Sequence, residues 1–158
     1  MGQNAAQGIK VAASYRLVAF NALMLRALLL GDNKTFPNEL GAFRITFRGR
    51  RFRILLTDGI LSEHLTEALK PPQFQPLPTL NRLSNIGRAI YFADNQLDRT
   101  SIELEGFPRE HQAFVADAMA ARASYLITNR QPWLDLSPQT GRYGLRIVTP
   151  ERFVELEG

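Results

Sequence analysis

Short runs of apolar residues alternate along this chain with longer segments in which leucine or alanine recurs every three or four positions. The short runs are rich in aromatic and β-branched side chains, and they predict buried strands at residues 15–20, 125–128 and 145–148. Residues 102–104 fit a further short strand. The end of the chain therefore runs helix, strand, loop, strand and helix, which is how a parallel sheet closes in an α/β domain.

The longer segments predict amphipathic helices with recognisable ends. Asn21 is a suitable N-cap for the first helix, and Thr57 or Asp58 is a suitable N-cap for a helix that stops before Pro71. The predicted helices cover residues 22–30, about 58–69, 80–97, 108–123 and the segment from residue 150 onward.

A period of two appears between the first and second of these helices. Phe43, Ile45 and Phe47 alternate with polar residues, and the alternation resumes after a turn near Gly49. This pattern predicts a β-hairpin at about residues 42–55, inserted before the second helix.

Together the elements predict an α/β fold, a three-layer α/β/α sandwich with a mainly parallel sheet and one inserted hairpin. The 158 residues, 45% of them hydrophobic, suit a single core, so residues 15–158 are predicted to form one domain. Residues 1–14 are rich in Gly, Gln, Asn and Ala without an apolar period and predict a flexible N-terminal tail.

The amino-acid composition limits the metal sites, partners and location that we expect. Cysteine is absent and the two histidines cannot build a zinc site alone, so any metal ion would need mainly oxygen ligands. The net charge of +4 is compatible with a nucleic-acid partner. No apolar run reaches the roughly 18 residues of a membrane span, and no signal peptide is recognisable, so we expect a cytoplasmic protein without a membrane partner.

Two segments resemble PIN domains, metal-dependent nucleases that include the toxin-type, VapC-like ribonucleases of toxin–antitoxin pairs. Residues 118–130, an alanine-rich helix followed by Tyr-Leu-Ile-Thr-Asn-Arg, are similar to the end of such domains. Residues 58–63, Asp-Gly-Ile-Leu-Ser-Glu, are similar to the family's second acidic motif and match its acid to Glu63. The resemblance implies a PIN-like sandwich and, in an active member, Mg²⁺ or Mn²⁺ held by carboxylates at the carboxyl ends of the strands.

The family's other acidic positions are not all acidic in this chain. The first strand of PIN domains ends in an Asp-Thr-Asn-like motif, where this chain has its Asn at Asn21 but Ala19 in place of the Asp. The fourth acid falls on Arg130, whose charge opposes a cation. The third acid falls at His111 or the residue after it. By this resemblance the inherited site is degenerate.

An active site would then depend on a small set of residues. Glu63 with Glu110 or Asp117 would be the catalytic carboxylates, and Glu63 and Asp117 would be the metal ligands. The family resemblance also implies that three polar residues line the site, namely Asn21, Thr128 and Asn129.

The predicted hairpin carries an unusual density of positive charge. No acid occurs between Gly41 and Thr57, and guanidinium groups there suit phosphate contacts. The same cluster is also typical of a charged strand edge that resists aggregation, or of a docking surface for an acidic protein. The predicted nucleic-acid-binding residues are Arg44, Arg48, Arg50, Arg51 and Arg53.

Three functions follow from these observations. The first is a catalytically impaired PIN-like protein that binds RNA or a ribonucleoprotein partner through the basic hairpin, without a cofactor. The second is an active Mg²⁺- or Mn²⁺-dependent endoribonuclease toxin with an antitoxin as its partner. The third is a structural subunit of a larger assembly, with an apolar contact surface around Phe74, Leu77 and Trp133. Whether the chain is a homodimer stays open.

Overall fold

The structure is a computed structural model, and it describes residues 15–30, 37–100 and 109–158. At Arg109 and Glu110 it describes the backbone alone. The predicted N-terminal tail and the predicted strand at residues 102–104 lie outside the described residues.

Five parallel strands form one sheet in the order β3-β2-β1-β4-β5. The central strand β1 pairs with β2 through Val18 and Ile54, and with β4 through Ala19 and Leu126. This arrangement confirms the predicted α/β fold with its parallel sheet. The strands are β1 Arg16–Phe20, β2 Phe52–Thr57, β3 Ala89–Phe92, β4 Tyr125–Ile127 and β5 Arg146–Val148.

Helices cover both faces of the sheet and give the predicted three layers. The eight α-helices of the described residues are α1 Ala22–Leu29, α2 Pro37–Phe47, α3 Asp58–Ala68, α4 Pro76–Asn85, α5 Arg109–Ala120, α6 Gln131–Leu134, α7 Ser137–Thr140 and α8 Pro150–Glu157. Two short 3₁₀ segments, Asp94–Gln96 and Gly141–Tyr143, complete the described elements.

The core has two parts because successive strand residues point to opposite faces of the sheet. Leu17 and Ala19 of β1 belong to the core on one face, with Phe114 of α5. Val18 and Phe20 belong to the core on the other face, with residues of α1, α2, α4 and α8. Burial on both faces explains why the strands appear in the sequence as apolar runs without alternation.

Three helices begin at side chains that cap their N-termini. The Asn21 side chain accepts a hydrogen bond from the Leu23 amide, and Thr57 Oγ1 accepts one from the Ile60 amide. Thr149 caps α8 in the same way. These side chains satisfy amides that a helix leaves unpaired, so the predicted cap at Asn21 is confirmed and Thr57, of the two residues Thr57 and Asp58, is the cap of α3.

The predicted hairpin is wrong, because residues 37–47 form helix α2 and only the second half of the segment is a strand. The buried residues of α2 recur at helical spacing, at Glu39, Ala42, Ile45 and Thr46. Packing against α8 selects this face over the β-propensity of the sequence. The apparent alternation arose because phenylalanines four residues apart also share one face of a helix.

The predicted helix at residues 80–97 is also wrong in extent. Helix α4 ends at Asn85, and residues 89–92 form the edge strand β3. Gly87 lies between them with φ +77°, a conformation that favours glycine and breaks the helix. The sequence pattern did not reveal this edge strand because the strand is only four residues long.

Candidate functional site

The strand order places a crevice at the carboxyl ends of β1 and β4. The chain leaves β1 toward β2 on one side and returns to β4 on the other, and ligands bind at such switch points in open α/β sheets. Two adjoining cavities of about 340 Å³ and 270 Å³ open there. Both are lined by Asn21, Leu23 and Arg130, so Arg130 lies where the two cavities meet. We refer to this region as the crevice.

The two residues at the end of β1 differ in their surroundings. Ala19 is fully buried and packs in the core on the α5 side of the sheet, pairing with Leu126 of β4. Asn21 is almost fully buried, caps α1 and lines both cavities of the crevice. The position that the PIN resemblance matches to the first acid is therefore a core alanine instead of a carboxylate.

Glu63 faces the smaller cavity but is held by a histidine. Its carboxylate is hydrogen bonded to Nδ1 of His111, and both side chains line the cavity with Lys70 and Arg130. Burial raises the pKa of Glu63, and the bond to His111 and the charge of Arg130 offset only part of this effect. The structure thus brings together Glu63, His111 and Arg130, of which only Glu63 was a predicted acid.

The turn after β4 presents Arg130 to the crevice. Thr128 is fully buried, and its Oγ1 accepts a hydrogen bond from the Arg130 amide. Asn129 donates a hydrogen bond of 2.6 Å to the carboxylate of Glu39 on α2. In the described part of the chain no carboxylate lies within salt-bridge distance of the Arg130 guanidinium, although its charge acts on Glu63.

Asp117 is engaged in contacts with Thr57 and Arg99. Its side chain is fully buried, Oδ2 accepts a hydrogen bond of 2.6 Å from Thr57 and Oδ1 accepts one of 2.5 Å from Arg99. Asp117 follows His111 by six positions, which is a rise of about 9 Å along α5. Asp117 therefore connects α5 to the end of β2, and both of its carboxylate oxygens are already hydrogen bonded.

The donor set of the crevice does not fit the metal ion that the PIN resemblance implies. Ala19 is a core residue, Asp117 is bonded to Arg99, and Arg130 adds a positive charge where an acid would bind the ion. Within the residues whose side chains are described, no group of three or more acidic, histidine or cysteine side chains could hold a metal ion. The side chain of Glu110 lies outside the described residues.

The predicted basic residues lie at the opposite end of the sheet. Arg44 is in the last turn of α2, Arg48 and Arg50 flank the Gly49 turn, and Arg51 and Arg53 lie at the start of β2. The first three are exposed, and among the described residues none of them has an acid within salt-bridge distance. Arg53 lies over the ring of Tyr15, 4.0 Å from its centroid.

Four further arginines lie at the same end of the sheet and were not among the residues predicted from the sequence. Arg16 and Arg146 open β1 and β5, Arg88 immediately precedes β3, and Arg122 lies in the turn before β4. Parallel strands begin at one edge of a sheet, so an arginine before each apolar run was the signal for this grouping. We call the whole set the arginine edge: Arg16, Arg44, Arg48, Arg50, Arg51, Arg53, Arg88, Arg122 and Arg146.

One carboxylate binds within the arginine edge. Glu157 at the end of α8 accepts hydrogen bonds of 2.6 Å from Arg16, 2.5 Å from Arg51 and 2.5 Å from the Tyr125 hydroxyl. Burial alone would raise the pKa of Glu157, but the hydrogen bonds from Arg16 and Tyr125 outweigh it and lower that pKa. The edge therefore already stabilises one oxyanion within the molecule.

The apolar surface predicted around Phe74, Leu77 and Trp133 does not form as one patch. Trp133 is 1% exposed and packs against Phe114 in the core, so it is unavailable to a partner. Phe74 and Leu77 instead line a groove of about 850 Å³ between α3 and α4, together with Leu65 and other residues. Among the described helices, none combines the length and apolar character needed to cross a membrane.

Comparison with models of known protein families, with curated proteins and with solved structures found no match for this chain.

Proposed function

We propose that this protein is a PIN-like domain that binds RNA through the arginine edge and does not carry out the metal-dependent hydrolysis of PIN nucleases. The observation that carries the proposal is that every strand has an arginine at its start or in the turn before it, and that these arginines lie together where the parallel strands begin. An RNA partner is consistent with the cytoplasmic location predicted from the sequence.

The dimensions of the arginine edge suit a polyanion. Five strands spaced about 4.8 Å apart span roughly 19 Å from the first to the last, enough to face several successive phosphates. One guanidinium group can donate two parallel hydrogen bonds to the oxygens of a phosphate. Within this protein Arg16 and Arg51 each donate one hydrogen bond to the same carboxylate oxygen of Glu157, so the surface already binds an anion. Some of this charge also stabilises helix C-termini, as Arg44 does in α2.

The crevice supports the catalytic part of the proposal. Arg130 would repel the Mg²⁺ or Mn²⁺ ion that PIN hydrolysis needs, and Glu63 is already bonded to His111. Among its described side chains the crevice therefore has no cluster of carboxylates that could bind the ion and activate water.

Two matched pairs of substitutions test the RNA interface. Arg48→Gln with Arg50→Gln removes two charges from the arginine edge, whereas Arg130→Gln with Arg152→Gln removes two from the other end of the strands. We expect the edge pair to weaken binding of a hydroxyl-ended single-stranded RNA at least roughly tenfold by fluorescence anisotropy, since each charged hydrogen bond contributes about 1.5 kcal/mol. The control pair should leave the affinity nearly unchanged, and equal losses in both pairs would argue against the interface.

An RNA cleavage assay tests the absence of hydrolysis. The wild-type protein should leave the RNA intact in Mn²⁺ at high protein concentration. Cleavage that disappears in Glu63→Gln would instead establish the endoribonuclease alternative.

The groove between α3 and α4 favours the structural-subunit function as a second candidate. Its leucines are partly exposed, with Leu69 70% exposed, and apolar grooves of this kind bind other proteins. Light scattering on the isolated protein distinguishes the two, because an assembly subunit with this surface should self-associate and a monodisperse monomer counts against it.

A further inference from the structure

The larger cavity of the crevice has one apolar wall and one polar wall. The apolar wall is formed by Leu23, Met24 and Ala27 of α1, and the polar wall by Glu39 of α2 and Asn129. Arg26 of α1 also lines the cavity, and its guanidinium donates hydrogen bonds to backbone carbonyls outside it. At about 340 Å³ the cavity falls within the range of small-molecule sites. A flat ring can lie against α1 while its polar edge faces Glu39.

The polar wall is held in place by its own hydrogen bond. Glu39 is only 9% exposed, and its Oε1 accepts the 2.6 Å bond from Asn129. A buried carboxylate fixed in this way offers acceptors to an N–H donor, as in the pairing of Glu with the amino group of cytosine. The wall therefore favours a ring that carries an amino group.

Arg130 lies at the junction of this cavity with the smaller one. Its guanidinium has no salt bridge to the described carboxylates and presents paired donors that match a phosphate. A cation at one side of an apolar cavity selects a ligand with an anionic group at one end and a ring at the other.

We propose that the crevice binds a nucleotide whose base carries an amino group. The phosphate contacts Arg130, the base lies on α1, and the amino group donates a hydrogen bond to Glu39. This site is separate from the arginine edge, because the two lie at opposite ends of the strands. The ligand is either a free nucleotide or the phosphorylated end of an RNA, since both present the same groups.

Isothermal titration calorimetry with cytidine 5′-monophosphate tests the site. Arg130→Gln should weaken binding at least roughly tenfold, because a charged hydrogen bond to phosphate is lost, and cytidine without phosphate should bind the wild type at least roughly tenfold more weakly. Arg152→Gln is the charge-matched control and should bind as the wild type does. Unchanged affinity in Arg130→Gln, or no binding at millimolar nucleotide, overturns the proposal.

A comparison of two nucleotides tests the contact between the base and Glu39. Uridine 5′-monophosphate lacks the amino group and should bind at least roughly tenfold more weakly than the cytidine nucleotide, a difference that Glu39→Gln should largely remove. Equal binding of the two nucleotides by the wild type overturns the base assignment. A five-nucleotide RNA with a 5′-phosphocytidine identifies the source when it is titrated into the Arg48→Gln, Arg50→Gln variant, in which binding at the arginine edge is reduced. Binding tighter than that of the mononucleotide, and weakened by a further Arg130→Gln, assigns an RNA end, whereas binding equal to that of the mononucleotide assigns a free nucleotide.

Discussion

Asp117 illustrates how a single buried carboxylate takes its role from its neighbours. The sequence places it in an alanine-rich helix, where it could be a metal ligand or an exposed residue. Its contacts to Thr57 and Arg99 could not be predicted, because Arg99 lies 18 positions earlier in a segment without a regular pattern. Thr57 at the same time caps α3, so one hydrogen-bond network ties α5, β2 and α3 together.

Removing the Asp117 carboxylate should therefore destabilise the fold. Asp117→Ala leaves the Thr57 hydroxyl without its acceptor and leaves Arg99 with Asp94 as its remaining carboxylate partner. We expect a loss of about 2–3 kcal/mol in the free energy of unfolding, less than for a fully buried pair because Arg99 is 38% exposed. Urea denaturation measures this loss. Asp94→Ala removes the other, 66% exposed partner of Arg99 and should cost less than about 0.5 kcal/mol. Equal losses in the two variants would contradict the structural role of Asp117.

His64 is the second residue whose burial has a measurable consequence. It is 2% exposed, its Nδ1 has no hydrogen-bond partner in the described structure, and its ring packs against Phe114. Burial lowers the pKa of His64 to about 4 from its ordinary value of 6.5. Above pH 6.5 the ring is neutral in both the folded and the unfolded protein, so it contributes nothing to the pH dependence there.

Below pH 6.5 the unfolded state binds a proton that the folded state excludes, and stability falls. Between pH 6.5 and 4 the loss is about 3 kcal/mol, at 1.36 kcal/mol for each unit between the two pKa values. The raised pKa of Glu63 acts in the opposite direction, so the test compares two proteins. Urea denaturation at pH 7 and pH 4 should show a smaller loss for His64→Leu than for the wild type, and equal losses would exclude this role of His64.

At the scale of elements, the sequence predicted the parts that local patterns determine. β1, β4 and β5 are buried on both faces and appear as apolar runs. The cap at Asn21 was predicted, and the cap of α3 was narrowed to Thr57 or Asp58. Helix α2 was missed because its sequence is rich in residues that favour strands, and its packing against α8, β2 and α1 decides its structure. Tertiary packing thus overrode local propensity where the two disagreed.

A glycine in α2 offers a direct test of its helical structure. A Cβ atom at Gly41 would lie 3.6 Å from Val154, an ordinary contact, so Gly41→Ala should stabilise the protein by about 0.5–1 kcal/mol in thermal or urea unfolding. Gly49→Ala is the control, because Gly49 has φ +65° and alanine there should destabilise by about 1 kcal/mol. Destabilisation by Gly41→Ala would contradict a helix at residues 37–47.

At the scale of the whole molecule, the two ends of the sheet differ in charge. The arginine edge lies where the strands begin, whereas most described acids, including Glu39, Glu63 and Asp94, lie in the elements around the carboxyl ends. The sequence predicted the parallel sheet and five of the nine arginines. It did not group the other four, because they are far apart in the chain and come together only through the strand order.

The residues of the crevice were also only partly predictable from the sequence. Asn21, Glu63 and Arg130 were recognised from the family resemblance, and the structure brings them to one cavity. Glu39 was not recognised, because it lies in the helix that replaced the predicted hairpin. His111 was noted only as an occupant of an acidic position, and its bond to Glu63 requires the packing of α3 on α5.

The most direct test of RNA binding through the arginine edge is the salt dependence of RNA affinity. Each phosphate contact to a single strand contributes about 0.7 to the slope of log affinity against log salt concentration, so the Arg48→Gln, Arg50→Gln pair should reduce the magnitude of that slope by about 1.4. The RNA is again hydroxyl-ended, so it offers Arg130 no terminal phosphate. The Arg130→Gln, Arg152→Gln pair removes the same charge elsewhere and should leave the slope as in the wild type. Equal slopes for the wild type and the edge pair would contradict the arginine edge as the RNA-binding surface.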